Sequence, residues 1–201
     1  MATSSVGAGL TAQHRQAQLQ VRALALRDFV RLWPLWTPDD EGSFERLAVA
    51  TVPLIRAHHQ ISSSIASAYY QAFRRAEGVS GDTTPRSADP INADRVTASL
   101  YVTGSVMTGK AIAAGLSPQA AMQTALTRTS GAVGRHVLGG GRETLIRSTA
   151  SDRRTRGWGR VTGGNACDFC EMLAGRGAVY SDDTADFQAH DHCACQAEPQ
   201  F

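Results

Sequence analysis

Lysine is nearly missing from the chain: of 20 basic residues, nineteen are arginine and Lys110 alone is lysine. A guanidinium offers planar, bidentate recognition of phosphate or carboxylate, yet a genome rich in G and C, whose codons favour Arg and Ala, accounts for the bias. Net charge is only +2, so no general attraction to polyanions follows from the total. Long apolar runs are absent too. No stretch approaches the ~18 consecutive apolar residues of a membrane span, which predicts no membrane partner. Met1 to Leu10 has neither a basic n-region nor an apolar h-region, so no secretory signal is expected and the chain is made in the cytoplasm. Cysteine does not occur before residue 167. Four cysteines in a cytoplasmic chain point to metal or redox chemistry before structural disulfides.

What is present is mostly helical pattern, in a chain 42% hydrophobic and therefore able to build a core. Periodicity predicts helices over about 11–33, 38–77, 90–114, 118–138 and 142–151, a body of residues 1–151. In the first, Leu19, Ala23, Leu26, Val30 and Trp33 make one apolar stripe. Pro34 ends it, and Thr37, Pro38 and Asp40 read as an N-cap, first-turn proline and capping carboxylate for the second. There Ala48, Val52, Ile55, His59, Ser62, Ala66, Tyr69 and Phe73 share a face, with Pro53 expected to kink the run. Asp89–Pro90 opens the third helix and Ser117–Pro118 the fourth, which fades at Gly139, Gly140 and Gly141. Long runs of modest apolar content suggest an extended bundle that needs partners; a compact four- or five-helix domain is the alternative.

At about Asp152 the pattern breaks on Gly157, Gly159, Gly163, Gly164, Gly175 and Gly177. Short β-like pieces follow around Trp158–Thr162 and Ala178–Tyr180. The fold class is therefore mainly α, an extended helical body with a small C-terminal α+β module over 152–201. A module of this size cannot hold a hydrophobic core by itself, and all four cysteines lie in it.

Cys167-Asp-Phe-Cys170 is a C-x2-C pair, and His190-Asp-His192-Cys193-Ala-Cys195 follows. A C-x2-C turn lets two thiolates face one ion, and a second pair completes a tetrahedron. A redox pair lacks its βαβ context, and paired disulfides are disfavoured in the cytoplasm. One structural zinc site is expected, its four ligands drawn from Cys167, Cys170, His190, Cys193 and Cys195, with Cys167 and Cys170 the first two and the far pair left open; His192 is read as solvent-facing. A deaminase needs Glu two residues after a ligand His and Pro before C-x2-C, but His192 and Ala166 stand there. H-E-x-x-H is absent as well, so no enzyme is expected. His14, His58 and His59 read as helix-face residues.

Between Arg135 and Arg160 seven arginines face only Glu143 and Asp152. Arg142, Arg147, Arg153, Arg154, Arg156 and Arg160 are candidates for contacts to phosphate or an acidic partner. A solvated connector, or pairing with Asp182, Asp183, Asp186, Asp191 and Glu198, is the bland alternative.

The stretch from Trp158 through Cys167-Asp-Phe-Cys170 to His190-Asp-His-Cys193-Ala-Cys195 resembles the tail of MuF-like minor head proteins of tailed phages, in the version of phages infecting actinobacteria. That family's C-x2-C and H-x2-C-x-C fall on Cys167, Cys170, His190, Cys193 and Cys195, while Gln188 and Ala189 stand where many relatives carry prolines. The resemblance covers roughly the last fifty residues. It implies a non-enzymatic virion component in the capsid interior or portal region, present in the host cytoplasm during assembly. Portal and major capsid protein are the implied partners, with packaged double-stranded DNA as a candidate and roles in head assembly and DNA packaging or delivery. Some members carry fused toxin or protease domains; with Phe201 six residues past Cys195, none is expected here. The competing function is a metal-dependent hydrolase or nucleic-acid-processing enzyme using the cluster.

Overall fold

The computed structural model describes residues 2–163, 166–180 and 187–201. Six helices and one strand pair are seen among them: α1 (Ser5–Leu32), α2 (Ser43–Ala76), α3 (Ala93–Tyr101), α4 (Met107–Ala113), α5 (Pro118–Ser151), β1 (Gly157–Val161), α6 (Asp168–Gly175) and β2 (Gln196–Gln200). The fold is mainly α, with a small C-terminal strand region. Helices α1, α2 and α5 pack mutually into a three-helix body; α3 lies against α2 and α5, and α4 against α5.

Ser117 and Pro118 start α5 as the sequence predicts, with the Ser117 hydroxyl accepting from the Ala120 N–H. The other entries shift. Helix α1 begins at Ser5 under a Ser4 cap rather than at residue 11, and α3 begins under Asn92 rather than at Pro90. The reading of Thr37, Pro38 and Asp40 as a helix start is corrected: α2 starts at Ser43, after Gly42 with φ 83°. Packing overrides the local signal there. Phe29, Trp33, Trp36, Phe44 and Tyr101 form a chain of edge-on rings with centroids 5.0–5.6 Å apart. Burying Trp36 in that chain holds the backbone extended, and the Ser43 hydroxyl closes the turn by donating to the Thr37 carbonyl.

The α2 face from Ala48 to Phe73 is buried as read, with Val52 partly so, and it is internal rather than a docking stripe. Helix α2 continues through Pro53, which is exposed. The α1 stripe is corrected: the buried line is His14, Gln18, Val21, Ala25 and Phe29, while Ala23 and Val30 are exposed. Gln18, a polar member of that line, is satisfied across the bundle. Gln18 Nε2 donates to the Ser62 carbonyl at 2.9 Å, and the Ser62 hydroxyl donates to Gln18 Oε1 at 2.6 Å.

The expected break at the triple glycine is also corrected. Helix α5 is one element through Gly139, Gly140 and Gly141, because these residues set distance rather than conformation. A Cβ on Gly140 would lie 2.2 Å from the His59 carbonyl oxygen, and one on Gly141 would lie 2.6 Å from Gln18 Nε2. The missing side chains let α5 approach the α2 backbone, and the Gly141 N–H donates to the Ser62 hydroxyl at 2.9 Å. The third predicted helix is interrupted in turn by a wide π turn at Val102–Val106. Phe44 presses there, and a Cβ on Gly104 would meet its ring at 2.6 Å.

Below α5 the chain reverses. Arg74 Nε donates to Asp152 at 2.8 Å, Tyr70 donates to the same carboxylate at 3.1 Å, and both charged groups are buried. Strands β1 and β2 then pair antiparallel, with Trp158 opposite Pro199 and Arg160 opposite Ala197. Trp158 also bridges to Tyr180 and stacks on it at 4.6 Å. A second core of Ala66, Tyr69, Tyr70, Phe73, Leu145, Trp158 and Ala197 joins this pair to the body.

Candidate metal centre

Cys167 caps the N-terminus of α6 and Cys170 stands in its first turn. The capping position orients both sulfurs toward one side and sets the Cys167 thiol among free N–H groups. The Cys170 backbone N–H, and then the His190 ring, hold the Cys167 thiol below the ordinary range. Burial pushes the Cys170 thiol up.

The second half is a tight turn. The Cys193 N–H donates to the His190 carbonyl at 3.1 Å, and His192 takes a left-handed φ of 66°. His190 Nδ1 faces the Asp191 carbonyl at 2.7 Å. A carbonyl accepts only, so the proton sits on Nδ1 and the Nε2 lone pair is left for the sulfurs. That atom lies 3.1 Å from Cys167 Sγ and 3.8 Å from Cys170 Sγ. Cys170 Sγ is in turn 3.8 Å from Cys193 Sγ.

These spacings fit a metal. Two sulfurs bound to zinc at about 2.3 Å and a tetrahedral angle lie about 3.8 Å apart. Cys167, Cys170 and His190 form one group with ligand atoms within 4.8 Å of one another, and Cys170, Cys193 and Cys195 form a second. Cys170 belongs to both, so all five predicted donors converge on it. The four thiols are free of disulfides. The neighbouring Cys195 thiol, and then the Arg142 charge, hold the Cys193 thiol below the ordinary range. Cys193 beside it, and then burial, push the Cys195 thiol up. His192 is exposed as read; its ring passes α5 at Gly131, where a Cβ would come within 2.6 Å of Nε2.

The arginines divide by place. Arg142 and Arg160 are buried, which corrects their reading as contacts for an outside phosphate. Arg142 donates to the Cys195 and Cys193 carbonyls at 3.0 and 2.8 Å. Arg160 donates to the Gln188 carbonyl at 2.8 Å and stands 3.7 Å from Cys170 Sγ. Both lie over the Phe187 ring, at 4.9 and 3.9 Å from its centroid. Arg147 pairs with Asp89 and Glu143, and Arg135 with Asp191 at 2.7 Å. Arg153, Arg154 and Arg156 remain exposed. Asp182, Asp183, Asp186 and Gly164 lie outside the described residues. Strand β2 and the inward role of the two arginines escaped the sequence reading; the alternation of Ala197 and Pro199 around charged and polar residues is too weak a strand signal to find them.

Among the comparisons, a family model described as VG15 protein matches residues 7–201. No curated protein and no solved structure matches. The match spans the helical body and the cysteine module together, and on it the chain belongs to the VG15 protein family, a family of viral (phage) proteins.

Proposed function

We propose that this phage protein is a non-enzymatic minor head protein of the MuF-like kind, whose C-terminal module is stapled by one structural zinc ion. The observation that carries the reading is that two groups of Cys and His donors share Cys170, with the Cys170 and Cys193 sulfurs at the spacing of two ligands on one zinc, in a module with little core of its own. Bound zinc would supply folding energy to the module. The described residues lining the site include no carboxylate positioned as a base, which supports a structural role over a hydrolytic one. Resemblance of the tail to MuF-like proteins, together with the VG15 family match, supports a place at the portal or inside the capsid. Docking falls to exposed apolar residues of the body, Tyr101, Val102, Ile112 and Leu116 around α3 and α4. Of the arginines between Arg135 and Arg160, the exposed Arg153, Arg154 and Arg156 are the ones offered to an acidic protein surface or packaged DNA.

Purified virions test the reading. The protein should co-purify with heads at low copy, and particles made without it should be altered in assembly or infectivity. Normal particles in its absence, together with metal-dependent turnover of a substrate by the isolated chain, would favour the enzyme instead.

A further inference from the structure

Three segments of the second half-site lie against one face of α5. His192 crosses at Gly131, Asp191 pairs with Arg135, and the Cys193 and Cys195 carbonyls receive the two arms of Arg142. The first half-site, Cys167 and Cys170, belongs to α6, which packs on β1 rather than on α5. The two halves therefore have different foundations. Arg142 is the side chain that reaches from the body into the backbone between two donors, and it is itself buried. Its planar fork fixes the two carbonyls in one geometry, which a compact, freely rotating ammonium does less well. Fixing those carbonyls fixes the turn of the Cys193–Cys195 backbone and hence where its sulfurs point.

We propose that Arg142 is the positioning residue of the metal centre: from α5 it holds Cys193 and Cys195 in place, so that the helical body presets half of the site and α6 brings the other half to it. This inference rests on the zinc reading above and adds a link between metal and body. Partners of this kind outside the ligand shell typically change metal affinity 10- to 100-fold when removed.

The full-length chain, reduced and stripped of metal, is titrated with Co(II) and then with Zn(II) in competition with a chromophoric chelator. Arg142→Lys and Arg142→Gln are compared with the wild type and with Arg154→Lys at an exposed site. The expected result is a roughly 10- to 100-fold weaker zinc affinity in both Arg142 variants. Their helical circular dichroism should be retained, and their thiolate-to-cobalt bands should shift or weaken. Arg154→Lys should match the wild type. Folded Arg142 variants with wild-type affinity and an unchanged cobalt spectrum would overturn the proposal while leaving the zinc reading intact. Loss of helical signal in both Arg142 variants would also overturn it, by making the residue a support of the fold alone. A wild-type chain that binds neither ion would remove the zinc reading and this proposal with it.

Discussion

Gly139 and Gly140 are neighbours in sequence and opposites in packing. A Cβ on Gly139 meets nothing nearer than the His59 ring at 3.9 Å, whereas one on Gly140 lands on the His59 carbonyl. Gly139→Ala should therefore stabilise the chain by up to about 1 kcal/mol, the helix preference of Ala over Gly. Gly140→Ala should destabilise it by about 1–3 kcal/mol or more through overpacking. Urea melts of the two variants decide the matter; equal midpoints would contradict the close approach. Two buried histidines set a pH dependence. His14 stacks on Tyr69 at 4.3 Å with neither ring nitrogen partnered among the described residues, and burial lowers its pKa from 6.5 to about 4. Burial first, and then the Arg135 charge, do the same to His136. Between pH 6.5 and about 4 the unfolded chain takes up protons that the folded chain refuses, so stability falls as the pH falls through that window. On protonation each histidine lowers stability by on the order of 3 kcal/mol between neutral pH and pH 4. Melts of the stripped chain at pH 7 and pH 5 should show the drop, and His14→Phe should reduce it.

Helix α5 packs the body and, through Arg135 and Arg142, contacts the segment that carries Cys193 and Cys195, all on one unbroken run, and the sequence conceals this. Ser117 and Pro118 announce its start through local chemistry, and the α2 face was legible because its apolar and small residues keep one period. Gly139 to Gly141 read as a break since close approach to another helix leaves no local mark. The α1 face was misread for a related reason: Gln18 is buried by its exchange of hydrogen bonds with Ser62, a partner 44 residues away. The five donors were legible from spacing, while Arg142 and Arg160 were not, their acceptors being main-chain carbonyls fixed only by the fold. At the level of elements, chelation should act unevenly. Cys170→Ser, or removal of metal, should raise hydrogen exchange in α6 strongly, while β1, β2 and α5 keep their protection. Uniform protection across α6 after chelation would show that packing alone holds it.

Across the molecule, five of the described arginines serve internal contacts: Arg74 on Asp152, Arg142 and Arg160 around the cysteines, Arg135 and Arg147 in ion pairs. Arg153, Arg154 and Arg156, just past α5, are exposed. Replacing these three by Ala should leave the melting temperature within a degree or two, as surface changes do. It should weaken a salt-sensitive contact to head protein or DNA, read as retention on heparin or double-stranded DNA at rising salt. Unchanged retention would move the contact to another face. Arg142→Lys, by contrast, should leave such retention unaltered.

The pairing of β1 with β2 has a consequence for how quickly the cysteines find each other. The ladder closes residues 162–195 into a loop at its base, so the two half-sites become tethered ends rather than independent pieces of chain. Cys170 and Cys193, 23 positions apart, then face each other at a high effective concentration before any ion arrives. Because closure entropy grows only slowly with length, most of the cost of gathering the donors is met when the strands zip. On the zinc reading, capture of an ion would then be a short, nearly local event at the end of folding.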